Sequence, residues 1–317
     1  MKHLIRTSSG AMICWALVAG GMGGLSGCQS QPKSTPVSEV KAKPTPSVAT
    51  VVEAQNARVR GLESLWARIT LRVDGRLANA KLNREEAEGY LQVQLPDRVA
   101  IMVTKVGNLY FYLGSNSQYY WWFDLTDDKR CYFGRHDKAT TATVDRFGIP
   151  VHPLDLIELM AITPLPAPGQ PGSPQAIAWS ADRKLLWYDV PARGSTKRVL
   201  IDPDSLQPVV VELLDPAGRV IVQSELAKYE AFISRSVPGA MPSVPTRCVL
   251  RVPRSELTIN LNLNDPASKA INPDAFDLVK LNKKYPVNAL IDLDKPEKKD
   301  GAPADGEPAK QPGGQSP

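Results

Sequence analysis

The chain has 317 residues, of which 43% are hydrophobic and 22% are charged, a composition that is ordinary for a globular protein. Its formal net charge of +5 is spread over the whole length, and no run of lysine and arginine of the kind that binds nucleic acid occurs. We therefore expect no nucleic-acid partner. A weak attraction to anionic lipid headgroups and an ordinary solvated surface both agree with this charge, and the second is the simpler interpretation.

The sequence lacks the motifs of the common catalytic and metal sites. His136 and His152 are far from any second ligand at helical spacing, and no HExxH motif or cysteine pair accompanies them. A Gly-x-Ser-x-Gly elbow and a glycine-rich nucleotide loop are also missing. We therefore predict that the protein is not an enzyme and that it holds no metal and no cofactor other than covalent lipid.

The first 28 residues have the parts of an export signal in order. A basic start is followed by an apolar stretch from Ala11 to Leu25, which is too short and too rich in glycine and alanine for a typical membrane span. The segment ends in Leu25-Ser26-Gly27-Cys28, which resembles the lipobox of bacterial lipoproteins. That resemblance implies cleavage before Cys28, diacylglycerol on its thiol and acylation of the new amino group. An ordinary signal peptide with a chance cysteine and a short membrane helix are the alternatives.

Polar segments flank a central domain. We predict a lipoprotein signal peptide at residues 1–27, a flexible tether at 28–48, a folded domain at 49–293 and a disordered tail at 294–317, because the tether and the tail have almost no large apolar residues. Gln29 stands where an aspartate retains lipoproteins of well-studied enterobacteria in the inner membrane. By that resemblance, the expected location is the cell envelope, lipid-anchored to the outer membrane and facing the periplasm.

Two cysteines, Cys131 and Cys248, remain once the signal peptide and the lipidated residue are set aside. The expected compartment is oxidising, so one disulfide between them is a natural pairing. The sequence leaves this disulfide and two free thiols equally open, because it does not give the distance between their Cα atoms.

The central domain begins with a helix and continues in strands. Apolar residues at helical spacing predict an amphipathic helix over 49–66. From Trp66 the period changes to two, which predicts a strand with Ile69, Leu71 and Val73 on one face. The polar residues from Gly75 to Arg84 predict a turn or loop.

Consecutive short strands with tight turns follow, which is typical of an antiparallel meander. Leu109, Phe111 and Leu113 are predicted to point one way along one strand, and Trp121 and Phe123 to share a face of the next. Both faces of this last strand carry aromatic rings. One set is therefore core, and the other is either a contact surface or covered by a loop.

The pattern breaks near Gly148, where Pro153 to Met160 predicts a short, largely buried helix with proline at its start. The proline-rich segment 163–175 predicts a long irregular connection. Strands then resume, among them Pro208–Leu214, and continue as far as Leu263, with Asp-Pro turns between some of them. The total is about eleven strands and two or three helices.

This order of elements resembles the LolA/LolB-like superfamily of outer-membrane lipoprotein carriers and receptors over about residues 49–280. The segments that carry the resemblance include Leu95-Pro96-Asp97-Arg98-Val99, Gly107-Asn108-Leu109-Tyr110-Phe111, Leu200-Ile201-Asp202-Pro203 and Asn272-Pro273-Asp274-Ala275-Phe276. It implies a mainly β (α+β) fold: a curved antiparallel half-barrel of about eleven strands, with two or three helices on its concave face. The lipid anchor resembles the receptor branch of the superfamily.

An apolar concave face would bind an acyl chain or a lipoprotein, and the helix at 153–161 would act as its lid. The membrane, through the N-terminal acyl chains, is the other expected partner, and the sequence names no protein partner. The alternatives are a scaffold lipoprotein that uses the same fold without a ligand, and ordinary core residues that leave no space. The candidate lipid-binding residues are Ile69, Leu71, Leu91, Val93, Ile101, Val103, Leu109, Phe111, Trp121 and Phe123.

Overall fold

The computed structural model describes residues 43–76, 82–140 and 152–295. The predicted signal peptide, residues 28–42 of the predicted tether with Cys28, and the tail from residue 296 onward lie outside these residues. The chain divides into two units, Met1–Lys43 and Pro44–Pro317, and every strand and helix below belongs to the second. Within the described ranges, no helix has both the length and the apolar character that crossing a bilayer requires.

The described strands form one sheet of 14 strands in the order β14-β6-β5-β4-β3-β2-β1-β13-β12-β11-β10-β9-β8-β7. Neighbouring strands are antiparallel, except that β14 runs parallel to β6. The strands are β1 Ser64–Arg76, β2 Leu82–Gln94, β3 Arg98–Lys105, β4 Asn108–Ser115, β5 Tyr119–Asp124, β6 Arg130–Arg135, β7 Ala178–Trp179, β8 Leu186–Ala192, β9 Ser195–Ile201, β10 Pro208–Leu214, β11 Val220–Ala231, β12 Ser243–Val252, β13 Leu257–Ala267 and β14 Ala289–Asp292.

The sheet has more strands than the eleven predicted. Two strands that the alternation did not indicate are β6 and β14, which pair with each other at one end of the sheet. β14 has only four residues, from Ala289 to Asp292, and charged residues surround both strands. Their extended conformation therefore depends on pairing with each other and with β5, which local sequence does not reveal.

Three α-helices lie within the described residues: α1 Val48–Val59, α2 Pro153–Leu159 and α3 Leu278–Lys284. The predicted short helix after Gly148 is confirmed as α2, and the proline-rich segment after it is irregular, as predicted. Short 3₁₀ helices occupy His136–Lys138, Pro253–Ser255 and Pro273–Phe276.

The first helix is shorter than predicted. α1 ends at Val59 rather than at residue 66, and Leu65 and Trp66 belong to β1, where they pair with Val93 and Gln92. Gly61 ends the helical path with a φ of 79°. A Cβ atom there would also lie 2.8 Å from the Ser234 hydroxyl oxygen, so both the backbone and the space favour glycine.

The sheet curves around α2. This helix contacts β3 and β4 on one side and β10 on the other, although five strands separate β3 from β10 in the sheet. In a flat sheet these strands would lie roughly 29 Å apart at ~4.8 Å per step, whereas α2 is about 10 Å long. The two ends of the described sheet, β14 and β7, do not pair with each other. The architecture is therefore the predicted mainly β half-barrel, curved and unclosed.

Two hydrophobic cores lie on opposite faces of the sheet. The inner core fills the concave face and includes buried residues of α1, α2 and most strands. The outer core lies on the convex face, where Tyr112, Trp121 and Phe123 pack against Phe276 and Leu281 of the C-terminal segment. The third helix, α3, thus covers the convex face, which corrects the expectation that the helices share the concave one.

A β-bulge in β4 changes which side chains face inward. Val103 pairs with Phe111 while Thr104 pairs with Leu109, so β4 contains one more residue than β3 at this point. Phe111 and Leu113 face the inner core, but Leu109 packs against the outer core. The prediction that all three share one face was wrong, because the extra residue reverses the alternation beyond it.

The first hairpin is longer than predicted. β1 and β2 pair as far as Arg76 and Leu82, although Gly75 to Arg84 had the composition of a loop. Asp74 accepts hydrogen bonds from Arg72 and from Arg84 on the neighbouring strand, at 2.8 and 2.9 Å. Polar side chains therefore stabilise strand pairing here, where hydrophobic alternation gave no signal.

The two core cysteines do not form a disulfide. Cys131 is buried in the outer core and Cys248 in the inner core, so the sheet separates them and both thiols are free. Burial raises the pKa of each thiol to about 12. The pairing that the sequence left open is thus wrong, and both side chains pack as small apolar groups.

Candidate apolar ligand cleft

The inner face of the half-barrel contains a cleft whose lining is entirely apolar or aromatic. Its cavity volume is about 80 Å³. Side chains at its rim, among them Leu71, Val73 and Phe111, are half-buried, so the cleft is in contact with solvent. The lining residues are Leu71, Val73, Ile101, Phe111, Leu113, Trp122, Leu156, Leu250, Ile259 and Leu261.

Aromatic rings form one wall of the cleft. Phe111 of β4 and Trp122 of β5 stack with ring centroids 5.0 Å apart and planes inclined by 12°. Trp122 pairs with Leu113 in the sheet, so it reaches Phe111 diagonally across the two strands. The stack presents a flat apolar surface that an extended hydrocarbon chain could lie against.

Buried aliphatic residues form the floor. Leu250 of β12 pairs with Ile259 of β13, and Leu261 follows two positions later on the same face. All three are less than 10% exposed. Period-two alternation in both strands places these side chains inward and the intervening polar ones outward.

The helix α2 covers part of the cleft through Leu156. Pro153 occupies its first turn, and His152 caps it, because its Nδ1 accepts a hydrogen bond of 3.1 Å from the backbone N–H of Leu154. A seven-residue helix is marginal in isolation, so α2 depends on its contacts with the sheet and with α1.

An ion pair fastens α2 to the sheet. Lys197 of β9 donates to the Glu158 carboxylate. The Lys197 side chain is only 7% exposed, whereas that of Glu158 is 32% exposed. The Thr163 hydroxyl also lies within 3.4 Å of this carboxylate. Breaking the ion pair should therefore cost more free energy at the buried ammonium group than at the carboxylate, which is more exposed to water.

The helix α1 braces the chain that leaves α2. Gln55 donates to the carbonyls of Ala161 and Thr163 at 2.8 and 2.9 Å. Asn56 exchanges two hydrogen bonds with the backbone of Leu165, at 2.9 and 2.7 Å. These bonds tie α1 to residues 161–165, so a movement of α2 away from the sheet must strain or break them.

Arg58 adds a partly buried cation to the same brace. It donates to the Ala161 carbonyl and, at 2.8 Å, to the Ser243 carbonyl. Its guanidinium lies 5.3 Å from the centre of the Tyr229 ring. Burial lowers the pKa of Arg58. The backbone carbonyls and the aromatic ring offset part of the cost of burying this charge.

Two histidines meet at the start of α2. His152 Nε2 lies 3.2 Å from His136 Nδ1, and His136 Nε2 lies 2.6 Å from the Asn116 carbonyl. Because His152 Nδ1 accepts from Leu154, its Nε2 carries the proton that His136 Nδ1 accepts, and His136 donates onward to Asn116. This chain of bonds requires both rings to be neutral. Burial lowers the pKa of both, that of His152 to about 2.

A second pocket, with a lining of mixed polarity, lies beside His152. Its volume is about 290 Å³, and its lining includes His152, Asp155, Arg193 and Ser195. Burial raises the pKa of Asp155 to about 7, and the positive charge of Arg193 opposes this shift. Asp155 is therefore partly protonated at neutral pH, which makes the start of α2 sensitive to pH.

The structure divides the ten predicted lipid-binding residues among three places. Leu71, Ile101 and Phe111 line the cleft. Ile69, Leu91, Val93 and Val103 lie in the inner core beside it. Leu109, Trp121 and Phe123 lie on the convex side of the sheet, packed against or within the outer core. Whether any of them contacts a lipid stays a prediction, and Cys28 lies outside the described residues.

Sequence reasoning missed most of the cleft. Trp122 was placed with the aromatic residues of undecided face, and Leu156 with the covering helix. Leu250, Ile259 and Leu261 belong to strands predicted from their alternation, and this alternation was the available signal for an inward face. What the sequence lacked was the pairing of β1 with β13, which joins strands from the two ends of the chain in the middle of the sheet, at the cleft.

No protein-family model and no curated protein sequence matches this chain. Solved structures that it is similar to include a LolA superfamily protein from Nitrosomonas europaea, at 12% identity, 74% of this chain, 98% of that chain and a TM-score of 0.45. A second is an outer membrane lipoprotein-sorting protein domain from Vibrio parahaemolyticus, at 12% identity over 73% of this chain and 97% of that chain, with a TM-score of 0.49. A third is a DUF1329 family protein from Desulfovibrio piger, at 10% identity over 75% of this chain and 99% of that chain, with a TM-score of 0.47.

The first of these structures belongs to the superfamily that the order of strands in this sequence resembles.

Proposed function

We propose that the protein is a membrane-anchored envelope lipoprotein that holds an acyl chain, free or carried by another lipoprotein, in the cleft of its inner face. The observation that carries the proposal is the lining: ten side chains from six strands and α2, all apolar or aromatic, and open to solvent. Each CH₂ group moved from water to such a surface contributes about 0.8 kcal/mol. Binding therefore increases with chain length and needs few polar contacts.

The cleft must widen to accept a whole chain. Its volume of about 80 Å³ is well below the roughly 300–1,000 Å³ of typical ligand pockets. Widening requires α2 to move, because Leu156 lies over the cleft while the other lining residues belong to the sheet. The proposal therefore gives α2 the role of a lid, held shut by the pair of Lys197 with Glu158 and by the brace from α1.

The second candidate function is a scaffold lipoprotein that uses the fold without a ligand. The small volume of the cleft favours it, because a filled concave face needs no occupant. We assign neither candidate a catalytic role. The lipid anchor at Cys28 and the outer-membrane location belong to both candidates and rest on the lipobox and on Gln29.

Displacement of a fluorescent fatty acid from residues 29–317 tests the proposal. The variant Leu156→Arg places a charge at the half-buried rim of the cleft and should weaken acyl binding about tenfold or more. The matched control is Leu154→Arg, which changes a half-buried leucine of the same helix that does not line the cleft.

The control should bind as the unaltered protein does, and thermal unfolding of both variants shows whether they are folded. Binding lost equally in both variants would contradict the site. No fatty-acid binding by the unaltered protein, together with no co-purified lipid on mass spectrometry, would favour the scaffold function.

A further inference from the structure

The connection between β11 and β12 forms a projecting hairpin, residues 232–242, which we call the tip. Phe232 N–H donates to the Pro242 carbonyl at 3.1 Å, and Ser234 N–H donates to the Ala240 carbonyl at 2.9 Å. These two bonds flank Ile233 and Met241 and place them opposite each other on the two arms of the hairpin.

The tip exposes both of these large apolar side chains to solvent. Ile233 is 75% exposed and Met241 is 61% exposed, whereas Phe232 and Ala240 beside them are buried. Side chains of the hairpin therefore alternate: those on one side pack into the fold, and two adjacent apolar side chains remain exposed on the other. Exposed apolar groups placed together are typical of contact surfaces.

The tip is held firmly against the rest of the fold. The Ser234 hydroxyl donates to the Gly61 carbonyl at 2.7 Å and accepts from Val237 N–H at 3.1 Å. Arg235 N–H donates to the Ser268 hydroxyl at 3.2 Å. The exposed pair is thus presented on a pre-organised surface, which lowers the entropy cost of binding through it.

Three exposed basic side chains belong to the tip or adjoin residues that the tip contacts. Arg60 adjoins Gly61, Arg235 belongs to the tip, and Lys269 follows Ser268; all three are exposed. The exposed acids of the same segments are Glu63, Glu230 and Asp265, and Asp265 is paired with the exposed Arg68. The four basic side chains outnumber the three acids, so the local charge is positive. Lys269 lies 3.4 Å from the centre of the Trp66 ring, which adds an amphipathic aromatic residue to the same end of the molecule.

We propose that the tip docks on a bilayer surface that contains anionic lipids, with Ile233 and Met241 between the headgroups and the three cations against the phosphates. Exposed apolar side chains beside basic ones match the two attractions that hold interfacial segments on membranes. The proposal does not rest on acyl binding, since neither Ile233 nor Met241 lines the cleft.

Vesicle sedimentation of residues 29–317, which lack the lipidated cysteine, tests the docking. Vesicles of phosphatidylcholine with and without phosphatidylglycerol are compared at low and high salt. The protein should bind the anionic vesicles more strongly, and salt should weaken the binding. The variant Ile233→Ser/Met241→Ser should lower the partition coefficient about tenfold, and Arg235→Gln/Lys269→Gln should reduce the preference for phosphatidylglycerol.

The matched control is Val279→Ser/Leu290→Ser, which removes two other exposed apolar side chains, 65% and 53% exposed, from the C-terminal segment. It should bind vesicles as the unaltered protein does. Equal loss of vesicle binding in Ile233→Ser/Met241→Ser and in this control would overturn the proposal, and so would the absence of vesicle binding by the unaltered protein. Fatty-acid displacement measured on the same variants should stay unchanged, which separates this surface from the cleft.

Discussion

Individual residues at the start of α2 make stability depend on pH in opposite directions. The folded state lowers the pKa of His152 to about 2, so its contribution to stability is present above the unfolded pKa of 6.5 and is lost as pH falls from there. The folded state raises the pKa of Asp155 to about 7, so its contribution is present below 3.8 and is lost as pH rises through 7.

Replacing Asp155 by asparagine tests the second of these effects. The unaltered protein should lose the stabilising contribution of Asp155 as pH rises from 5 to 8, whereas Asp155→Asn should not. The free energy of unfolding of the variant relative to the unaltered protein should therefore rise by about 1–2 kcal/mol over this range, a modest amount because the residue keeps some contact with water. Chemical denaturation at the two pH values measures the difference. An identical effect of the substitution at both would show that the carboxyl group is not shifted in the folded state.

At the scale of elements, a separate ion pair holds α2 to the sheet. The buried partner of its ion pair is Lys197 on the sheet, and the partly exposed one is Glu158 on the helix. Loss of the lysine leaves a carboxylate that water can reach, whereas loss of the carboxylate leaves an ammonium group buried without its partner. The two substitutions should therefore differ in cost.

We expect Glu158→Gln to destabilise the fold by about 3 kcal/mol and Lys197→Met by only about 1 kcal/mol. Both should increase hydrogen exchange at the amides of α2 more than at the central strands, because the ion pair holds the helix and not the sheet. Urea denaturation and hydrogen exchange measure these effects. The reverse order of destabilisation would indicate that the lysine is hydrated and the pair is not buried.

At the scale of the whole molecule, the sheet separates two sets of contacts. Its concave face holds α1, α2 and the cleft, and its convex face holds the C-terminal segment with Phe276 and Leu281. At one edge, β14 covers β6, which leaves fewer unpaired backbone groups there for association with other chains. A domain built this way can present its cleft and its tip independently of each other.

The proposed lipid anchor at Cys28 would set where the whole molecule acts. Expression of the full chain with Cys28→Ala should move the protein from the membrane fraction to the soluble periplasm, since one or more acyl chains on Cys28 are expected to hold it. Fractionation and detection of the protein measure this. Cys28→Ser serves as a matched variant, and retention of both in the membrane fraction would contradict the lipidation of Cys28.

The sequence by itself determined the class of fold and much of the strand order. Period-two alternation and Asp-Pro turns are local signals, so strands such as β10 were predicted with the observed bounds, from Pro208 to Leu214. The same local signals located α2, whose proline and first-turn acid are set by neighbours in the chain. They did not show β6 and β14, which are strands only because they pair.

The tertiary structure decided which faces are inside. The bulge beside Tyr110 turned Leu109 outward, and the C-terminal segment made a second core of Trp121 and Phe123. Curvature brought α2 against both β4 and β10, and the pairing of β1 with β13 gave the cleft its floor. Alternation gives the two sides of a strand, but only long-range pairing and packing decide which side is buried and against what.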